Sequence, residues 1–233
     1  MDAMIGEPFD PKAEFFIEER MKPHWSQAGA IVFATFRTRD SIPVQVLNRW
    51  EREKKDWVLR AVARVYKEDN DLAGLNLQAL HWSRTLLLLP LCERQQFNRF
   101  FNAQHESTLD DCLGACLLKH PEVSRVVVDS LMFFDRERYC MGDFVIMPNH
   151  VHLLVSFGSP EAMRVQFASW LRYTARRINE ITNSSGHFWQ QEPFDHLVRS
   201  VDQYHYLRKY IEDNPKKACL RPANFFIEDI RTR

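Results

Sequence analysis

The order of apolar patterns predicts an α+β fold: a split βαβ arrangement in which an antiparallel sheet carries helices on one face. Three observations predict it. An isolated β-branched and aromatic run occupies residues 30–38. Two further runs, 139–147 and 151–157, are joined by Pro148-Asn149. Stretches of helical period stand before and after that pair.

Taken in order, residues 1–28 read as irregular, because Pro8, Pro11 and Pro23 break any long element. Ala30–Thr38 reads as a strand, and Ile42-Pro43 as a turn. From about 44 to 67, Val46, Leu47, Trp50, Trp57, Val58, Ala61, Val62 and Val65 recur at helical spacing, while 68–80 are less patterned. Helices are expected at 91–104 and 109–118, with a break at Lys119-His120-Pro121. In 122–134, Val123, Val126, Val127, Ser130, Leu131 and Phe134 share one helical face; the β-branched content would also suit a strand, and helix is the reading adopted. After the hairpin, a helix is expected over 160–181 with Pro160 in its first turn, ended by Asn183-Ser184-Ser185-Gly186. A short strand fits within 188–198. Asp202 is expected to cap a final helix, Gln203–Asp213, terminated by Pro215.

A chain of 233 residues with 45% hydrophobic residues, 17 Phe and 6 Trp suffices for one generous domain, or a small domain with a large insertion. The net charge of zero gives a nucleic-acid reading no help. The charge is uneven, though: residues 1–20 hold six acids and two bases (−4), so the rest carries +4. The five cysteines form no CxxC pair or zinc pattern, which points to reduced thiols. The first twenty residues lack a signal-peptide pattern, and the longest apolar run, Leu86–Leu91, is too short to span a bilayer. A soluble cytoplasmic protein with no membrane association is the expectation.

Two groups of residues suggest chemistry. His150 and His152 are two apart on a strand, so both imidazoles leave the same face; they are either a divalent-metal pair or two ordinary histidines. Tyr206, Tyr210 and Asn214 recur at four-residue intervals on the last helix. Asn214 offers an amide oxygen suited to a hard cation, and Tyr210 a phenol one turn away. Packing and capping explain the same residues equally simply.

Three segments carry a family resemblance. Met147-Pro148-Asn149-His150-Val151-His152-Leu153-Leu154-Val155 resembles the HUH motif of single-tyrosine transposases. Gly186-His187-Phe188-Trp189-Gln190 resembles the Gly-x-x-Trp-Gln segment of their REP-associated branch, and Tyr210-Ile211-Glu212-Asp213-Asn214-Pro215 its Tyr-Ile-x-x-Asn-Pro segment. The three follow the family's order and cover about 120–220. The resemblance implies a ferredoxin-like βαββαβ sheet across a single domain, 1–233. Residues 44–110 lie outside the minimal family core and read as a helical insertion.

The resemblance also implies roles. His150, His152 and Asn214 would hold Mg2+ or Mn2+, and Tyr210 would be the nucleophile, with Tyr173 and Tyr206 as fallbacks. The reaction would be metal-dependent cleavage and strand transfer of single-stranded or hairpin DNA through a 5′-phosphotyrosine, by a monomer or homodimer. Candidate DNA contacts are Arg172, Arg176, Arg177, Trp189, Arg199, Arg208 and Lys209, with Lys216 and Lys217 beside them. Two rival readings are a domesticated hairpin-binding protein and an unrelated metal hydrolase recruiting Glu192, Asp195 or His196 to the histidines.

Overall fold

The computed structural model describes residues 4–19, 23–66 and 76–229. Its elements are, in chain order, β1 (Phe16–Glu19), β2 (Pro23–Ser26), β3 (Ile31–Arg37), α1 (Val44–Val65), α2 (Trp82–Leu87), α3 (Leu91–Asp110), α4 (Pro121–Met132), β4 (Tyr139–Ile146), β5 (His150–Phe157), α5 (Pro160–Ile181), β6 (Phe194–Leu197), α6 (Val201–Lys217) and β7 (Phe226–Glu228). They separate into two compact units. One joins the residues up to Ser41 with those from Cys112 onward; the other is Ile42–Asp111.

The first unit holds a five-stranded sheet of order β6-β3-β5-β4-β7, antiparallel throughout. Leaving out β1, β2, the helices α1–α3 of the second unit, α6 and β7, the order β3-α4-β4-β5-α5-β6 is the expected βαββαβ. The alternation of side chains along β3 and β5 divides the core in two. Val32, Ala34 and Phe36 with Val151, Leu153 and Val155 pack beneath α4 and α5, around Trp170. Ile31, Phe33 and Leu154 pack on the other face against Tyr204, Leu207 and Ile211 of α6. Helices therefore cover both faces, not one. The apolar residues of α6 sit at helical spacing, but nothing in that spacing says which side of a sheet they cover.

Other local expectations need correction. Phe16–Glu19 and Pro23–Ser26 are strands, β1 and β2, paired antiparallel despite Pro23, which sits at the first position of its strand. No helix spans 109–118: α3 ends at Asp110, and Cys112, Gly114 and Cys116 all adopt positive φ. At Gly114 a side chain would also strike the Asp40 carbonyl, 2.6 Å from an added Cβ. Helix α6 is capped by Ser200, whose Oγ accepts from the Gln203 N–H (3.1 Å), and it runs through Pro215 to Lys217. Pro215 lies in the last turn, so the helix forgoes one hydrogen bond there. Strand β7 and helix α2 were not anticipated; part of the poorly patterned stretch 68–80 lies outside the described residues.

The second unit contains α1, α2 and α3 around Val58, Val62, Leu89, Phe97 and Phe101, with a smaller cluster of Ile42, Trp50 and Leu109. Among the described residues, no helix is long and apolar enough to cross a membrane.

Candidate active site

The site lies on the sheet face covered by α6. His150 opens β5 and His152 follows two residues later, so both rings emerge on that face, with centroids 4.6 Å apart. Both side chains are fully buried. Phe33, on the neighbouring strand β3, stacks on the His152 ring at 5.4 Å.

Each imidazole is oriented from behind through Nδ1. The side chain of Asn149 is pinned because its Nδ2 donates to the Leu113 carbonyl (3.0 Å). A carbonyl only accepts, so the amide oxygen must face the other way, where it meets His150 Nδ1 at 2.8 Å. That nitrogen therefore carries the proton, and His150 Nε2 keeps its lone pair. Nε2 is buried and has no hydrogen-bond partner among the described residues. At His152, Nδ1 meets Thr35 Oγ1 at 2.8 Å and Nε2 meets the Tyr210 hydroxyl at 3.4 Å.

Helix α6 supplies the facing side chains. Asn214 is fully buried, and neither atom of its amide has a hydrogen-bond partner among the described residues. A buried amide and a buried imidazole nitrogen without partners cost stability. Burial pushes the His150 pKa down to about 3, the Asn214 amide acting in the opposite direction. The imidazole is thus neutral at ordinary pH, the form that ligates a metal. Two imidazoles and an amide oxygen are a mixed nitrogen and oxygen donor set, and two of the unpaired atoms, His150 Nε2 and the Asn214 amide oxygen, are ones a divalent cation would satisfy.

Tyr210 is half-buried beside them, its ring 5.2 Å from that of His152 and 6.0 Å from that of Phe33. Lys217 Nζ lies 4.6 Å from the Tyr210 ring centroid. Tyr206 is 66% exposed. Each four-residue step around an α-helix drifts by about 40°, so the spacing that keeps Tyr210 beside Asn214 carries Tyr206 off the buried face. Tyr173 is exposed on α5, on the other side of the sheet.

The remaining site residues divide. Arg199 and Lys209 are exposed, Lys209 pairing with Asp213 at 3.5 Å. Arg172, Arg176 and Arg177 are exposed on α5, whose buried side covers the sheet face opposite the histidines; Arg176 and Arg177 both pair with Glu180. Two of the candidates are buried and already partnered. Trp189 is only 6% exposed, and its Nε1 donates to Thr174 Oγ1 (2.8 Å), so the indole is a core group that offers no stacking face. Arg208 is 8% exposed, with Nε donating to Asp143 (2.6 Å) and a terminal nitrogen to Asp229 (3.3 Å), so its charge is already spent inside the protein. Position in the motif did not distinguish a surface arginine from a buried one.

The rival ligands also go elsewhere. Asp195 bonds His24 Nδ1, and Glu192 lies 3.9 Å from His24 Nε2. His196 packs against Phe33 and Phe194, and burial, aided by Arg199, lowers its pKa to about 4. Among the described residues, no three His, Cys, Asp or Glu side chains form a metal cluster.

Sequence reasoning missed Thr35, Arg37 and Asn149. Thr35 and Arg37 share the alternating face of β3 with Phe33, but that face gains meaning only from the register that sets Thr35 against His152 and Arg37 against His150. Asn149 passed for an ordinary turn residue.

Residues 133–214 match the family model of the IS200-like transposases. This IS200-like segment contains His150, His152, Tyr210 and Asn214, and leaves out β3 and the helical unit. No curated protein matches the chain. A solved structure of a REP-associated tyrosine transposase bound to a REP hairpin aligns with 86% of this chain and 73% of its own, at 12% identity and a TM-score of 0.40, too distant a likeness to carry residue roles.

Proposed function

We propose that the protein cleaves and rejoins single-stranded DNA, at hairpin sequences and with a divalent cation, Mg2+ or Mn2+, through a covalent link to Tyr210. The observation that carries this reading is the convergence of a half-buried tyrosine hydroxyl, 3.4 Å from His152 Nε2, with partnerless buried atoms of His150 and Asn214. The match of the surrounding segment to IS200-like transposases supports it.

His150, His152 and Asn214 would hold the cation. When bound, it would neutralise charge on the phosphoryl oxygens of the scissile link. The phenol oxygen of Tyr210 attacks phosphorus, losing its proton to solvent. The bond from phosphorus to the 3′ oxygen breaks, and that oxygen leaves as a hydroxyl after taking up a proton. The product is a 5′-phosphotyrosine, so the phosphodiester energy is kept and a later 3′-hydroxyl reverses the step. Stacking on Phe33 and the hydrogen bond to Thr35 hold His152 in place, and Lys217 brings positive charge close to the phenol.

The test is incubation of the full chain with single-stranded hairpin DNA in Mn2+ or in EDTA. A site-specific break leaving a free 3′-hydroxyl, seen only with metal, is the expected result. Metal-independent cleavage, or equal cutting of fully duplex DNA, would defeat the proposal.

A further inference from the structure

Among its described residues the sheet unit contains two buried arginines, and they are neutralised very differently. Arg208, 8% exposed, has two carboxylate partners, Asp143 and Asp229. Arg37, 9% exposed, has none among the described residues. Among the described residues its side chain makes one hydrogen bond, from Nη1 to Ser41 Oγ (3.2 Å), and that hydroxyl itself donates to the Thr38 carbonyl (2.8 Å). A neutral hydroxyl orients a guanidinium without balancing its charge. Burial accordingly lowers the Arg37 pKa to about 10, with no carboxylate opposing the shift. A buried cation without a counter-ion is expensive.

Position says what would balance it. Arg37 ends β3, directly opposite His150 in register, and shares a face with Thr35, which bonds His152. Its cationic fork therefore belongs to the same sheet face as the tyrosine site. A guanidinium has five donors and matches the oxygens of a phosphate in a paired geometry.

We infer that Arg37, propped by Ser41, is an anion subsite of the candidate active site that takes a phosphodiester of the bound DNA strand and is left uncompensated until that strand arrives. This rests on the proposed DNA function for the identity of the ligand, though not for the existence of an anion site.

The experiment compares the wild-type chain with Arg37→Met in EDTA, so that no metal contributes. Binding of a fluorescent single-stranded oligonucleotide is followed across salt concentrations, and thermal melting is recorded with and without inorganic phosphate. Arg37→Met is expected to bind about tenfold or more weakly. Its dependence of log affinity on log salt should be shallower by about 0.7, the loss of one single-strand phosphate contact. Without phosphate it should melt no lower than the wild type, since a buried uncompensated charge has been replaced by an apolar chain of similar length. Phosphate should raise the melting temperature of the wild type and not of the variant.

An unchanged affinity and salt slope overturns the inference, as does a variant that melts well below the wild type, which would make Arg37 a structural group. If the wild type binds no single-stranded DNA, the proposed function fails, and the phosphate arm decides the anion site alone. A phosphate-dependent rise lost in Arg37→Met upholds the site, and no rise overturns it.

Discussion

The Asn149 amide decides which nitrogen of His150 carries the proton. Held by the Leu113 carbonyl through Nδ2, it can present only its oxygen to His150 Nδ1. Asn149→Ala should release that choice and let His150 populate both tautomers, read from imidazole nitrogen shifts of the metal-free protein. Mn2+ affinity should fall about 10- to 100-fold, the usual cost of losing a partner behind a ligating histidine. Unchanged tautomer and affinity would show that the amide does not orient the ring.

The Asp143–Arg208 pair should behave as a buried structural bridge between β4 and α6. Asp143→Ala strands much of the Arg208 charge, with Asp229, itself partly exposed, as the remaining carboxylate. A loss of roughly 3 kcal/mol in urea unfolding is expected. A change below about 0.5 kcal/mol would place Arg208 among ordinary surface groups.

Trp189 should matter to stability and not to DNA contact. Trp189→Phe removes the bond to Thr174 Oγ1 and part of a buried ring, and should cost on the order of 1–3 kcal/mol. Affinity for single-stranded DNA, measured below the melting range, should not move. A stable variant with weakened binding would restore a stacking role.

Acid should destabilise the metal-free protein. The folded-state pKa values of His150 and His196, about 3 and about 4, lie below the ordinary value of 6.5. Below 6.5 the unfolded chain binds protons that the folded chain refuses, so stability is full above that pH and declines as pH falls toward 4. The slope approaches about 1.4 kcal/mol per pH unit for each histidine. His196→Asn should remove part of that slope in urea unfolding between pH 7 and 5. A curve equally steep in the variant would assign the acid sensitivity elsewhere.

Strands β3, β4 and β5, the long helices and the histidine pair were legible because their signals are local. The β-branched run at 31–37, the hairpin closed by Pro148-Asn149 and the helical spacing of α5 each lie within one stretch of chain. The side of the sheet that α6 covers was not legible, since that is a tertiary relation, and the pairing of Arg37 with His150 rests on a register between strands more than a hundred residues apart. The burial of Arg208 and Trp189 was not legible for a related reason. An arginine and an indole suit either nucleic acid or a core, and only their partners Asp143 and Thr174, which lie on other elements, decide. The turn at 111–116 was hidden because three of its residues adopt a left-handed backbone and only one of them, Gly114, is a glycine.

The central claim is that Tyr210 is the nucleophile, and the most direct measurement is a denaturing gel of wild type, Tyr210→Phe and Tyr206→Phe after reaction with labelled single-stranded hairpin DNA and Mn2+. The account predicts a covalent protein–DNA adduct in the wild type and in Tyr206→Phe, and none in Tyr210→Phe. An adduct that survives in Tyr210→Phe, or cleavage that proceeds unchanged without any adduct, would contradict it.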